Sequence, residues 1–116
     1  MGLDQYSHRE DRSGKASELS YWRKHNALQG WMEKLWAIKT GKPEGDLNCN
    51  EVEITAEDLA QLKKHIQNQT LPVTQGFFFG QDTSRDETRQ EYDLEFVAKA
   101  QKAIEEGDQV FYSCSW

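Results

Sequence analysis

The stretch of residues 26–41, NALQGWMEKLWAIKTG, contains both the start and the stop signals of a helix. Asn26 predicts an N-cap, and Gln29 three residues later predicts a capping box. Side chains recur at helical spacing along one face, at Leu28, Trp31, Met32, Leu35 and then Ile38 or Lys39. Gly41 is a typical left-handed stop residue, so we predict a helix over residues 27–40.

Strands and helices alternate after this first helix. Residues 49–54, 76–80 and 109–115 have the pattern of strands, and residues 55–69 and 87–106 have the pattern of helices. Thr55 predicts the N-cap of the second helix, whose buried stripe would be Leu59, Leu62 and Ile66. The order α-β-α-β-α-β predicts an α+β fold, or a small α/β fold, with three helices packed on a three-stranded sheet. Helical connections permit parallel pairing, and the strand order is not readable.

Length and composition predict one compact domain over residues 20–116, preceded by a flexible N-terminal lead-in over residues 1–19. A chain of 116 residues can bury a modest core, and its four Trp, four Tyr and five Phe argue against disorder. Residues 1–19 are rich in Ser, Gly and mixed charge and contain few apolar side chains. No apolar run is long enough to span a bilayer, and we expect neither a signal peptide nor a membrane partner.

The net charge of −6 is unevenly distributed along the chain. Residues 1–43 contain 8 Lys and Arg against 5 Asp and Glu, whereas residues 44–116 contain 6 against 15. An acidic chain disfavours nucleic-acid binding, because phosphate neutralisation needs a basic face. The distribution still permits a local basic pocket, and it permits an acidic surface that engages a basic partner.

No catalytic or metal-binding motif stands out. The three histidines are His8 in the lead-in, His65 on the expected solvated side of the second helix, and His25. An enzyme that uses His25 as a base is an alternative without support from residue spacing. Cys49 and Cys114 suit either two reduced thiols or a bridge between neighbouring strands. Metal motifs and phosphate-binding loops are missing, so we expect no cofactor and no metal.

The run Tyr21-Trp22-Arg23-Lys24-His25 is the main candidate site. Its rings offer flat apolar surface and its cations offer donors for phosphate or carboxylate. In a structural interpretation, Tyr21 and Trp22 fasten the lead-in onto the first helix. In a functional interpretation, the cations converge on an anionic ligand while a Trp stacks on its ring. The predicted ligand-binding residues are Tyr21, Trp22, Arg23, Lys24, His25, Trp31, Arg85, Arg89 and Tyr112; Arg85 and Arg89 also suit salt bridges to Asp86 or Asp93.

Four motifs together resemble a family of small tailed-bacteriophage proteins. They are YWRKH at 21–25, LxGWM at 28–32, GFFFG at 76–80 and FYSxSW at 111–116, so the resemblance covers residues 21–116. Some members of that family carry a phosphoglycerate kinase label, which a chain this short cannot justify. The resemblance implies an accessory or anti-defence role in the host cytoplasm, because several families of small phage proteins sequester nucleotide signals there, frequently as homo-oligomers.

The sequence and the resemblance together predict a protein that binds and sequesters a small anionic, nucleotide-type ligand without turnover. A nucleotide second messenger is the expected ligand. The alternative is an acidic interaction protein that inhibits a host defence factor through its second and third helices.

Overall fold

The computed structural model describes residues 2–71 and 87–116, and it describes residues 87–89 by their backbone alone. The strands are β1 (Asp4–Glu10), β2 (Ala16–Arg23), β3 (Glu51–Ile54) and β4 (Gln109–Ser115). The helices are α1 (Asn26–Thr40), α2 (Ala56–Asn68) and α3 (Glu87–Glu105), and a 3₁₀ helix covers Glu44–Leu47. The α+β class predicted from the sequence is therefore confirmed.

The sheet has four strands in the order β2-β1-β4-β3, and each neighbouring pair is antiparallel. The expectation of three strands is wrong, and none of the pairings among the described strands is parallel. The strand predicted over residues 76–80 lies outside the described residues. The sheet is instead completed by two N-terminal strands that the sequence analysis did not predict.

Strand β1 occupies the segment for which a flexible lead-in was expected. It pairs with β2 on one side and with β4 on the other, so it is an interior strand of the sheet. Its inward positions are Leu3, just before the strand, then Gln5 and Ser7, all fully buried. Two of these three side chains are polar, which hides the apolar alternation typical of a half-buried strand. Polar residues reach the core here because the fold supplies hydrogen-bond partners for them.

The helices lie close to their predicted positions, but the start of α1 differs. The N-cap is His25, whose Nδ1 accepts from the Leu28 N–H at 3.4 Å, so the predicted Asn26 cap is wrong. Gln29 is buried in the interior and takes no part in a capping box. The left-handed stop at Gly41 is confirmed. Thr55 caps α2 in a reciprocal pair with Asp58, and Leu59, Leu62 and Ile66 are buried.

Helices α1 and α3 pack on the same face of the sheet. Trp22 of β2 meets Phe96 of α3 edge to face at 4.9 Å between ring centroids, and Tyr112 of β4 donates to Gln29 of α1. Helix α2 packs mainly on α3. The buried apolar side chains of the described residues form one cluster between these elements. None of the described helices is both long and apolar enough to cross a membrane.

Leu3→Ala tests whether the N-terminal segment belongs to the core. We expect a loss of about 2–5 kcal/mol in the free energy of unfolding, because a fully buried leucine leaves a cavity when truncated. Urea denaturation followed by circular dichroism measures the loss. Ser17→Ala, at an exposed position of the same hairpin, is the control and should change stability little. If Leu3→Ala were as stable as the wild type, the result would support the expected flexible lead-in and contradict the burial of Leu3.

Candidate functional site

The structure separates the side chains of the predicted 21–25 cluster. Alternation along β2 turns Trp22 into the core, while Tyr21 and Arg23 point to the opposite face of the sheet. Lys24 follows the strand at a positive φ of 56° and is exposed. His25 is fully buried. The five residues therefore do not converge on one ligand, and the candidate site predicted from their adjacency requires correction.

Trp22 and His25 bind the same buried carboxylate. Asp93 of α3 accepts from Trp22 Nε1 at 2.8 Å through Oδ1, and His25 Nε2 lies 2.6 Å from Oδ2. Since Leu28 N–H donates to Nδ1, the imidazole proton resides on Nε2 and is donated to Asp93. Two donors thus satisfy an acid that is 1% exposed. These contacts make Trp22 and His25 structural residues that connect β2, α1 and α3.

Tyr112, another predicted ligand residue, belongs to a second buried network. Its hydroxyl accepts from Gln5 Nε2 at 2.8 Å and donates to Gln29 Oε1 at 2.6 Å. Gln29 in turn donates to Cys114 Sγ at 3.3 Å. Burial, with smaller effects of nearby groups, raises the pKa of Tyr112 well above its ordinary value. The hydroxyl is consequently enclosed by the protein and is not available to a ligand.

The His25 hydrolase alternative does not fit these positions. A substrate has no access to an imidazole that is wholly buried and already engaged by Asp93. Cys114 is buried, and burial raises the pKa of its thiol to about 11, which opposes the thiolate form that attacks substrates. Cys49 is exposed, and both thiols are free in this structure. Arg85 and the side chain of Arg89 lie outside the described residues.

Trp31 is the predicted ligand residue that lines a substantial groove. The groove lies between α1 and α2, has a volume of about 410 Å³, and is lined by Trp31, Lys34, Leu35, Ile38, Asp58, Gln61, His65 and Thr70. The α1 members recur at helical spacing, which places them on one face. Trp31 and Leu35 pack partly against the core, whereas Ile38 is 81% exposed. The lining thus combines apolar side chains of α1 with polar side chains from α1, α2 and Thr70.

The charged groups in the described lining of the groove are one lysine, Lys34, and one carboxylate that is already paired. The carboxylate is Asp58, which binds Lys39 Nζ at 2.6 Å and accepts from the Thr55 N–H at 3.0 Å. Burial alone would raise the pKa of Asp58, but these hydrogen bonds outweigh it and lower the pKa. Lys34 and His65 remain beside the indole of Trp31. Thr70 Oγ1 lies 2.8 Å from His65 Nδ1 and orients that ring.

Of the eight described lining residues, only Trp31 was predicted from the sequence as a ligand residue, and the polar members Lys34, Asp58, Gln61, His65 and Thr70 were missed. Lys34 lies three residues after Trp31, and Gln61 and His65 are four residues apart, so each pair was readable as one helix face. That these faces of α1 and α2 lie opposite each other depends on the tertiary structure and cannot be read from the spacing in either helix. His65 is partly exposed, and the side of α2 on which it lies lines the groove.

Metal ligation has no candidate in the part of the chain that the structure describes, where no three His, Cys, Asp or Glu side chains are grouped to hold an ion. Comparisons of the chain with known protein families, curated proteins and solved structures find no match. The resemblance to phage proteins therefore stays a prediction.

Glu33 of α1 is a further titrating group near the buried network. It is half-buried, and burial, with a smaller effect of Glu44, raises its pKa to about 7. The pKa values of Tyr112 and Cys114 are raised mainly by burial, and the charge of Glu33 adds a smaller effect in the same direction. The folded protein thus holds a proton on Glu33 at pH values where the unfolded chain has lost it.

Asp93→Asn tests the buried network. The amide places an N–H₂ group where a carboxylate oxygen accepted a hydrogen bond, so one buried donor, from Trp22 or His25, loses its acceptor. We expect a loss of about 2–4 kcal/mol in the free energy of unfolding. Thermal and urea denaturation measure it, with the exposed Glu95→Gln on the same helix as the control. Equal stability of the two variants would contradict the structural role of Asp93.

Glu33→Gln tests the effect of the raised pKa. In the wild type the free energy of unfolding should fall as the pH rises from about 4.5 to about 7, because the unfolded chain releases the proton first. At pH 8 the variant should exceed the wild type by about 1 kcal/mol, since solvent contact reduces the full effect of the shift. Urea denaturation at pH 5, 6, 7 and 8 measures both trends. The exposed Glu57→Gln is the control, and an unchanged pH slope in Glu33→Gln would contradict the assignment.

Proposed function

We propose that this protein binds a small, planar, anionic ligand of the nucleotide type in the groove between α1 and α2, and that it does not turn the ligand over. The observation that carries the proposal is the lining of the groove by an indole together with two basic side chains, Trp31 beside Lys34 and His65. An aromatic face offers stacking to a base, and the basic side chains offer donors to a phosphate.

Size and polarity support the same class of ligand. A volume of about 410 Å³ falls within the roughly 300–1,000 Å³ range typical of small-molecule pockets. The Gln61 amide and the Thr70 hydroxyl provide neutral hydrogen-bonding groups in the wall. Leu35 and Ile38 supply apolar surface beside the indole. A ligand with one flat ring, hydroxyl or amino groups and a negative charge meets a matching group at each of these positions.

Binding without turnover is supported by the hydrogen bonds that Asp58, the carboxylate of the groove, already makes. Nucleophilic catalysis needs a nucleophile, a base, and a third group that orients the base. Thr70 and His65 form the one hydroxyl–imidazole pair in the described lining, at 2.8 Å. Asp58, the carboxylate of that lining, is held by Lys39 and by the N-cap of α2. Because Asp58 is already bonded to Lys39 and to the start of α2, it does not serve as the third group that orients His65.

The resemblance to small phage proteins extends the proposal to a biological setting. The ligand would be a nucleotide second messenger of an infected cell, and the protein would sequester it in the host cytoplasm as an anti-defence factor. Sequestration needs affinity and no chemistry, which is consistent with a stacking and phosphate-binding groove. If the protein forms a homo-oligomer, as the resemblance implies, each oligomer would contain several copies of the groove.

The test is a binding measurement with defined nucleotides. Purified protein is titrated with 3′,5′-cyclic AMP, cyclic di-GMP and ADP-ribose by calorimetry, and bound ligand is recovered by heat denaturation for chromatography. We expect one of these probes to bind and to be recovered intact. Absence of binding by every probe at millimolar concentration would contradict the proposal, and a chemically altered ligand would contradict its second part.

Matched variants locate the site. Trp31→Ala and Lys34→Ala should each weaken binding by about tenfold or more, because each loses roughly 1–3 kcal/mol of stacking or charge-assisted hydrogen bonding. Lys64→Ala removes the same charge from an exposed position of α2 outside the groove and should leave binding unchanged. Equal weakening by Lys34→Ala and Lys64→Ala would show that the ligand responds to overall charge and does not occupy the groove.

A further inference from the structure

The face of the sheet opposite to α1 and α3 presents aromatic side chains to the exterior. We call it the outer sheet face and define it by the outward residues of the strands: Asp4, Tyr6, His8 and Glu10 of β1, Glu18, Tyr21 and Arg23 of β2, Phe111, Ser113 and Ser115 of β4, and Glu51 and Glu53 of β3. Strand register aligns Tyr21, Tyr6, Ser113 and Glu51 in one row across the sheet. The next row contains Glu18, His8, Phe111 and Glu53.

The rings of the outer sheet face form two contacting pairs. Tyr6 and Tyr21 lie 5.3 Å apart between centroids, and they are 39% and 41% exposed. His8 and Phe111 stack at 5.2 Å with nearly parallel planes. Adjacent exposed rings on a sheet form a flat apolar platform, which is the type of surface found at binding sites. The rings lie on three neighbouring strands, β2, β1 and β4, which is about 10 Å at the usual spacing between strands.

Negative charge surrounds this platform. Asp4, Glu10, Glu18, Glu51 and Glu53 contribute five carboxylates, whereas Arg23 is the fixed cation on the described part of the face. Glu51 lies 3.6 Å from His8 Nε2, and Glu53 accepts from Gln109. A net negative field attracts a cationic partner and repels phosphate, nucleic acid and a second copy of the same face. The partner that complements this surface is therefore basic.

A pocket on the outer sheet face has the composition of a site for a cationic side chain. It has a volume of about 360 Å³ and is lined by Tyr6, Cys49, Asn50, Glu51, Ser113, Cys114 and Ser115. Ser113 is the small residue between Tyr6 and Glu51 in their row, and it leaves room between the ring and the carboxylate. A guanidinium placed there would face the Tyr6 ring and donate to Glu51, which combines a cation–π contact with an ion pair.

We propose that the outer sheet face docks a segment of a partner protein rich in Arg or Lys, with one such side chain in the pocket between Tyr6 and Glu51. This activity is separate from ligand binding in the groove between α1 and α2. The aromatic platform would contact the aliphatic stems of the basic side chains, and the surrounding carboxylates would pair with their charged ends. The extent of the face, four strands wide, suits a peptide segment better than a single small cation.

The experiment uses a fluorescein-labelled peptide of alternating Arg and Gly, nine residues long, and the full-length protein. Fluorescence anisotropy at low and at physiological salt measures its dissociation constant. We expect saturable binding that weakens with salt, and no binding of the corresponding Glu and Gly peptide. Glu51→Gln and Tyr6→Leu should each weaken binding about tenfold, and Tyr6→Leu keeps apolar bulk on the strand while removing the ring.

The control variant is Glu95→Gln, which makes the same charge change at an exposed position of α3. It should change the dissociation constant of the Arg peptide less than twofold. Equal weakening by Glu51→Gln and Glu95→Gln would overturn the proposal, because the peptide would then respond to net charge alone. Self-association in ultracentrifugation that Tyr6→Leu abolishes would also overturn it, in favour of a second copy as the occupant. Glu51→Gln should bind nucleotides in the groove as the wild type does. Measuring its nucleotide binding therefore separates the peptide proposal from the groove proposal.

Discussion

The buried carboxylate of Asp93 is the contact that holds the parts of this fold in register. It accepts hydrogen bonds from Trp22 at the end of β2 and from His25 at the start of α1, while Asp93 itself belongs to α3. A carboxylate that has lost its water must keep both donors, since a buried charge without partners costs several kcal/mol. The direction in which α1 leaves the sheet and the position of α3 on it are coupled by this requirement.

The consequence for function is a molecule with two binding surfaces of different charge. Helix α1 is positioned so that Trp31 and Lys34 line a groove against α2, in which the one carboxylate of the described lining, Asp58, is paired with Lys39. The inward side chains of β2, β1 and β4 are used by the core, so their outward neighbours, among them Tyr6 and Tyr21, form an aromatic face edged by carboxylates. One surface suits a small anion and the other suits a basic polypeptide. The net charge of the whole chain does not reveal that the two surfaces differ in charge.

Local signals in the sequence predicted the helices well, because caps and stops act within a few residues of the chain. Thr55 with Asp58, the stripe of Leu59, Leu62 and Ile66, and Gly41 all occupy the roles assigned to them. Strand β1 was missed because Gln5 and Ser7 face inward and are satisfied by partners up to 107 residues away. A polar residue with a distant partner looks the same in sequence as a polar residue in solvent. The side chains of residues 21–25 do not converge for a related reason, since adjacency in a strand places successive side chains on opposite faces.

The sequence by itself determined the α+β class, the three described helices and the aromatic and basic cluster at residues 21–25. Tertiary structure alone decided which members of that cluster are buried and which are exposed. Trp22, His25 and Tyr112 became core residues because Asp93, Gln5 and Gln29 converge on them from other elements. Trp31 lines a groove because its face of α1 lies opposite Asp58, Gln61 and His65 of α2. Burial is a property of the assembled layers, and no window of sequence contains it.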